Sequence, residues 1–269
     1  MALALGFCCY FAEPVPASAA GARVLGEVLT SADWPWAMPM MRVIGTPGQE
    51  PYPTRKGKIP AAAMEASVRD ALEAPVSRRI NLAASRTESL NHCWIHLDTG
   101  RDDLSAATYP FEARAFCRAE SLPAGKSIAA WLDLMHSLAV TLRAAHGVVV
   151  ASGNEGAIHD ELTLSTTYIN DRPVHPAPAE LELIRRHRDQ IGAAFVRPPR
   201  WGTYLKPEHV EAIGGRARIT EAIGDVPMQD LGPLLFVPLS ATIKDALTPE
   251  VQARQRALAD VLAPITVPA

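Results

Sequence analysis

A chain of 269 residues with 48% hydrophobic and 20% charged content and a net charge of -3 has the make-up of a globular protein, long enough for one large or two small cores. Disorder, collagen and coiled coil are excluded, and no apolar run approaches the roughly 20 residues of a membrane helix. A pI near 6.2 supplies no basic field for a phosphate backbone, so no nucleic-acid ligand is expected.

The chain opens on an apolar run, Met1 to Ala12, with aromatic and apolar residues over 5 to 11 closed by Glu13-Pro14-Val15-Pro16. Without a positively charged segment before it, this run reads as a buried first strand rather than a signal peptide, despite Ala17-Ser-Ala-Ala20. Adjacent Cys8 and Cys9 point to opposite faces of such a strand. With Cys93 and Cys117 they form no CxxC pair, so reduced, buried thiols in a cytoplasmic protein are expected, with no disulfide framework and no zinc site.

Helical spacing follows over Ser18 to Thr30, then a loop rich in Pro, Gly and Lys over 45 to 60, then a second helix over Ala61 to Leu72. Asn91 to Leu97 alternates, placing His92, Trp94 and His96 on one face and Cys93, Ile95 and Leu97 on the other. Thr108 to Arg118 repeats the pattern more weakly. Ser127 to Ala145 is the longest helical stretch, with Ile128, Trp131, Leu132, Met135, Leu138, Ala139 and Leu142 at a period near 3.6. Gly147 to Ser152 reads as a short strand at a sheet centre.

Beyond a second linker, Asn170 to Pro178, a charged helix runs from Ala179 to about Gln190. Strands are expected at Trp201 to Leu205 and Leu234 to Leu239. Helices are expected at Lys206 to Ile213, Arg216 to Ile223 and Pro249 to Leu262. The sum is an α+β class, a mixed sheet with helices packed on it, whose N-terminal part has the order of a ferredoxin-like split βαβ unit. Residues 1–169 and 179–265 form two lobes of one domain, joined by the Pro-rich linker 170–178.

The usual catalytic signatures are missing: there is no GxxxxGK[ST], GxGxxG, GxSxG, HExxH, Ser-x-x-Lys or EF-hand loop. No catalytic residue, metal or cofactor is assigned. Asn91-His-Cys-Trp-Ile-His-Leu-Asp98 is the strongest polar cluster; on a strand His96 and Asp98 share a face about 6.7 Å apart. A small-molecule enzyme using His92, His96 and Asp98 is therefore one alternative reading, and a structural adaptor of a secretion system is another. Ser152 to Glu161 reads as a negative loop that repels phosphate and suits a basic protein partner. Candidate partner-binding residues are Glu155, Asp160 and Glu161 there, and Asp98, Asp102 and Asp103 after a different strand, two loops that can lie at a common sheet end. His136 and His146 read as a helix-face residue and a histidine at a helix C-terminus.

Val196-Arg-Pro-Pro-Arg-Trp-Gly-Thr-Tyr-Leu-Lys-Pro-Glu-His-Val-Glu-Ala-Ile-Gly-Gly215, followed by Leu247-Thr-Pro-Glu-Val-Gln-Ala-Arg-Gln-Arg-Ala-Leu258, gives a Trp-x-x-x-Leu strand, a short helix ending in Gly-Gly, another helix and a closing helix. With the join Leu142-Arg-Ala-Ala-His-Gly-Val-Val149, this pattern resembles the type VI secretion immunity proteins associated with VRR-NUC nuclease effectors. The resemblance implies a cytoplasmic protein that binds a cognate toxin, a nuclease effector, and occludes its active site. A nuclease groove is basic, so acidic loops would steer association. The same residues also read as architecture: Trp201 and Leu205 share a strand face, Pro207 suits a first helical turn, and Gly214-Gly215 supplies a left-handed stop.

Overall fold

The computed structural model describes residues 3–11, 40–45, 77–83, 93–98, 112–121, 127–163, 168–169, 172–173, 179–187 and 190–268. The helices expected over 18–30 and 61–72 and most of the loop 45–60 lie outside these residues. The strands are β1 (Ala4–Tyr10), β2 (Met40–Gly45), β3 (Ser77–Ala83), β4 (Cys93–Asp98), β5 (Glu112–Arg118) and β6 (His146–Ser152). A two-residue pair follows, β7 (Tyr168–Ile169) with β8 (Arg172–Pro173), then β9 (Gly202–Leu205), β10 (Gln229–Asp230) and β11 (Leu235–Pro238).

Nine of them make one sheet in the order β10-β11-β9-β6-β1-β5-β4-β3-β2. Every ladder in it is antiparallel, so the α+β class holds while the mixed sheet expected from sequence does not. The segment β2 to β5 is a meander that ends beside β1. The chain then crosses over β1 through helix α1 (Ile128–Thr141) and enters β6 on its far side. The local order β6-β1-β5-β4, with a helical crossover from β5 to β6, is the split βαβ arrangement. Beyond the linker, β9 pairs with β6, so strands from both sides of residues 170–178 share one sheet.

Helix α1 starts because the Ser127 side chain accepts the Ala130 N–H at 3.2 Å. No Gly or Pro interrupts residues 128–141, and Trp131, Leu134, Met135, Leu138 and Ala139 bury one face. It ends four residues before the expected Ala145. Arg143 takes a left-handed φ of 52°, while Ala144 N–H reaches Ala139 O at 2.8 Å and Arg143 N–H reaches Val140 O at 3.1 Å. These are the paired bonds of a Schellman stop, made here without glycine. His146, expected at a helix terminus, is instead the first residue of β6.

Strand β1 is buried along its whole length. Leu5, Phe7 and Cys9 join the larger core with Trp131, Met135 and Leu138 of α1 and with Tyr204, Phe236 and the C-terminal helices. Ala4, Cys8 and Tyr10 join the second core with α2 (Glu155–Thr163) and α3 (Ala179–Arg186), through Ile158, Leu162, Leu181 and Ile184. Helix α2 comes so close that a Cβ on Gly6 would lie 2.9 Å from Ile158 Cγ2 and 3.2 Å from Leu162 Cδ2. Cys8 and Cys9 do face opposite sides, and both are free thiols, as is Cys117. Burial pushes the Cys8 thiol up to about 11 and that of Cys117 up to about 12.

The C-terminal third follows its expected plan. Pro207 opens α4 (Pro207–Ala212), Gly214 and Gly215 stop it at φ of +93° and +94°, and α5 (Arg216–Ile223) and α6 (Pro249–Leu262) follow.

Candidate functional site

Among the described residues the densest polar structure is a buried ionic seam between the sheet and the helices α2 and α3. Arg197 is 0% exposed. It arrives on the irregular segment after α3, donates to Tyr10 Oη at 3.1 Å, and is ion-paired with Glu161 of α2. Arg200 donates to the same carboxylate at 2.9 Å and reaches Glu180 of α3 at 2.8 Å. Burial alone would raise the Glu161 pKa, but Arg200 and Arg197 outweigh it and hold the carboxyl below its ordinary value. Burial likewise opposes the Arg197 charge, and Tyr10 and Glu161 reverse the balance and keep it protonated. A second buried pair, Arg114 with Glu112 at 2.6 Å, lies on β5, and Arg114 also donates to Leu162 O at 3.3 Å.

His146 completes the seam. The Arg197 backbone N–H donates to its Nε2 at 3.0 Å, so Nδ1 carries the proton and donates to Tyr204 O at 2.9 Å. Burial, then the neighbouring His209, push its pKa well down. Both ring nitrogens are thereby committed. A carboxylate clamped between two guanidiniums and a doubly bonded neutral imidazole are poor proton carriers, and Cys8 beside them is not ionised near neutrality. The seam therefore ties α2, α3 and residues 195–200 to the sheet.

The sequence-predicted residues distribute as follows. Residues 155–163 are a helix, not a loop: Asn154 Oδ1 accepts the Gly156 N–H at 2.9 Å, and Glu155 sits in the first turn where the dipole favours it. Helical spacing turns Ile158, Glu161 and Leu162 inward. Asp160 is 5% and Glu161 9% exposed, whereas Glu155 stays part-exposed beside Arg118, with a 2.6 Å hydrogen bond.

Asp98 ends β4, in register between Arg79 and Glu112. His96 stands in register between Asn81 and Arg114. His92, Asp102 and Asp103 lie outside the described residues. The two acidic segments do not leave a common sheet end. Asp98 belongs to the row containing Glu112, Tyr10 and His146, while Ser152, just before α2, pairs with Ala4 at the other end of β1. Strands β4 and β6 run in opposite directions, so their last residues, Asp98 and Ser152, lie in rows six residue steps apart along β1, about 20 Å.

A cavity of about 440 Å³ lies elsewhere, between the first half of α1, the ends of β9 and β11, and the segment 240–244. Trp201 and Phe236 form its floor, their ring centroids 6.1 Å apart. His136 reaches it edge-on to Phe236 at 4.5 Å and hydrogen-bonds Tyr204 Oη through Nδ1 at 2.8 Å. Asp133 and Lys244 also line it. Sequence reasoning gave His136 only a place on a helix face; Trp201, four residues before Leu205, was the sole signal for this region. Among the described residues no group of three or more His, Cys, Asp and Glu could hold a metal ion. None of the described helices is long and apolar enough to cross a membrane.

An antiparallel sheet that carries helices on both faces among the described residues defines an α+β fold. The chain matches no protein-family model, and no curated protein matches it by sequence. Its fold is similar to a solved structure, the Pseudomonas aeruginosa T6SS protein PA0821, with a TM-score of 0.59 and 10% identity over 99% of this chain and 73% of that one. At such identity the similarity is one of fold.

Proposed function

We propose that this chain is a cytoplasmic immunity protein of a type VI secretion system, which binds a cognate toxin, a nuclease effector, and occludes its active site. The observation that carries the reading is the fold similarity to a type VI secretion protein along 99% of the chain. The pattern of residues 142–149 and 196–265 supports it independently. So does the seam: its buried titratable groups are spent on folding contacts, as suits a protein that works by binding.

Contact with a basic nuclease groove would come from the acidic segment that begins at Asp98 and includes Asp102 and Asp103, with Glu155 able to act only at the other sheet end. Glu161 supports the fold rather than the interface. No metal or cofactor takes part. The test is to express the toxin encoded beside this gene with and without the chain, and to measure their association at two salt concentrations. Protection with saturable binding is expected. Asp102→Lys/Asp103→Lys should slow association by about tenfold at low salt and leave thermal melting unchanged, because rim charges act on encounter rate. No binding and no protection would overturn the immunity reading. Binding with unchanged association in the double variant would move the interface away from these aspartates.

A further inference from the structure

The cysteines lie on three neighbouring strands, and the ladders set what each one faces. Cys8 is opposed by Arg114 and Val148, and Cys9 by Ala113 and Gly147. Cys93, the first residue of β4, is opposed by Cys117, one residue before the end of β5. In the described ladders no other two cysteines stand opposite each other.

The hydrogen bonding fixes which kind of opposed position this is. The Ala119 N–H donates to Leu3 O at 2.9 Å, continuing the register that sets Ala4 opposite Arg118, so Leu3 and Ala119 are a hydrogen-bonded pair between β1 and β5. Such pairs recur at every second residue. Leu5 and Cys117 are therefore the next one, and the backbone N–H and C=O of Cys117 turn toward β1. Toward β4 the same residue is left in a non-hydrogen-bonded pair, and its partner there is Cys93. Opposed residues share a sheet face, and in a pair of this kind the Cα atoms stand about 4.5 Å apart. A disulfide spans Cα separations of about 4.4–6.8 Å, so the position meets its requirement. Cys117 itself is a free thiol, 0% exposed, that donates to Arg118 O at 3.2 Å.

We propose that Cys93 and Cys117 form a reversible disulfide that staples the open end of the β4–β5 hairpin, with a low-molecular-weight disulfide such as glutathione disulfide as oxidant. The Cys93 thiolate attacks one sulfur of the glutathione disulfide; a new S–S bond forms as the old one breaks, and the first glutathione leaves and takes up the proton that Cys93 released. Cys117 then attacks the Cys93 sulfur of the mixed disulfide, expels the second glutathione and gives its proton to it. Two protein thiols have lost two electrons and two protons, and one glutathione disulfide has become two glutathiones. Cys117 takes the second step because burial pushes its thiol up to about 12, which an intramolecular reaction offsets. Both cysteines stand near strand ends, where a ladder opens first. In a reducing glutathione pool the pair is two thiols, and it closes as the pool is oxidised. The bond excludes slipped pairings of β4, because a shift of one residue puts the two cysteines on opposite faces. The inference rests on the ladder and not on the immunity reading.

The test holds the full chain, native or refolding from urea, in glutathione buffers that run from reduced to oxidised. Remaining thiols are alkylated in denaturant and counted by mass. At the oxidised end two of the four cysteines should be protected, with Cys93 and Cys117 linked in a non-reduced peptide map, and dithiothreitol should restore all four. The oxidised chain should melt about 5 °C or more above the reduced one, because the bond closes the loop from 93 to 117. Cys93→Ala and Cys117→Ala should each keep three alkylatable thiols and melt independently of the glutathione ratio. Four free thiols at the oxidised end of both routes overturn the proposal. So does a bond between other cysteines, glutathione retained on Cys93, or a melting temperature that does not rise.

Discussion

The two faces of β1 sit one residue apart and solve burial differently. On one face Leu5, Phe7 and Cys9 meet hydrocarbon and aromatic rings. On the other Cys8 and Tyr10 meet a layer crossed by Glu112, Arg114, Glu161 and Arg197, all nearly inaccessible to solvent. The apolar face gains from area removed from water and tolerates imprecision. The charged face gains little net energy from its pairs, because desolvation offsets attraction, but it cannot lose a partner cheaply. The apolar face supplies cohesion, and the charged face makes the positions of α2, α3 and residues 195–200 interdependent.

The sharpest way to break the comparison is to remove one group from each face. Glu161→Ala strands Arg197 as an unpaired buried charge and should cost about 3–5 kcal/mol in urea unfolding. Trp131→Ala should cost a similar 3–5 kcal/mol by leaving a cavity. The two losses differ in their response to acid. The Trp131→Ala penalty should be nearly independent of pH, whereas that of Glu161→Ala should persist at pH 4 and shrink only once the pH falls below the ordinary carboxylate range, where the parent's Glu161 takes up a proton and loses the same ion pair.

A next, smaller effect concerns how closely α2 approaches the sheet. Gly6→Ala places a methyl against Ile158 and Leu162 and should destabilise by about 1–3 kcal/mol, with Ile158→Val in the same chain recovering part of it.

Stability against pH sharpens the contrast further. His136, His146 and His209 are all held below the ordinary histidine value by burial, His209 down to about 4. The unfolded chain therefore binds protons that the folded chain refuses, and stability present above pH 6.5 is lost as pH falls from 6.5 toward 4. Glu161, depressed instead, keeps its contribution until the pH falls below the ordinary carboxylate range. Denaturation series should show a first decline that His209→Gln lessens and a second, more acidic one that is missing from Glu161→Ala. The smallest effect belongs to Glu155, whose part-exposed pair with Arg118 should be worth no more than about 1 kcal/mol by double-mutant cycle.

These contrasts explain what was legible in the sequence. Helix α1 and the segment from Trp201 to Leu262 were readable because their signals are local: a 3.6 period, a proline at a first turn, two glycines at a stop. The cysteine alternation of β1 was readable for the same reason. Helix α2 was not, since Glu155, Asp160 and Glu161 made a short segment look like a solvated loop. Only the four-residue spacing of Ile158 and Leu162 marked a buried face. The arginines that draw Glu161 inward lie 36 and 39 residues further along, beyond any local window. That β4 and β6 finish at opposite sheet ends was equally hidden, because it depends on strand direction across four neighbouring strands. The cavity was hidden too, since it is assembled from residues 127 to 244 and no single stretch carries it.

The central position of β1 has a consequence for synthesis. Phe7 pairs with Ala115 on one side and with Val149 on the other, so its second neighbour is made about 140 residues later. At about 5–20 residues per second, this strand waits on the order of ten seconds on the ribosome before its ladder can close. Throughout that interval Ala4-Leu-Gly-Phe-Cys-Cys-Tyr10 is an uncharged, strand-forming heptapeptide without its partners, the kind of segment that self-associates. Holding that nascent strand apart from its copies is a task for the cell's chaperones, and the yield of folded chain should respond to translation rate and to their supply more than the native stability would suggest.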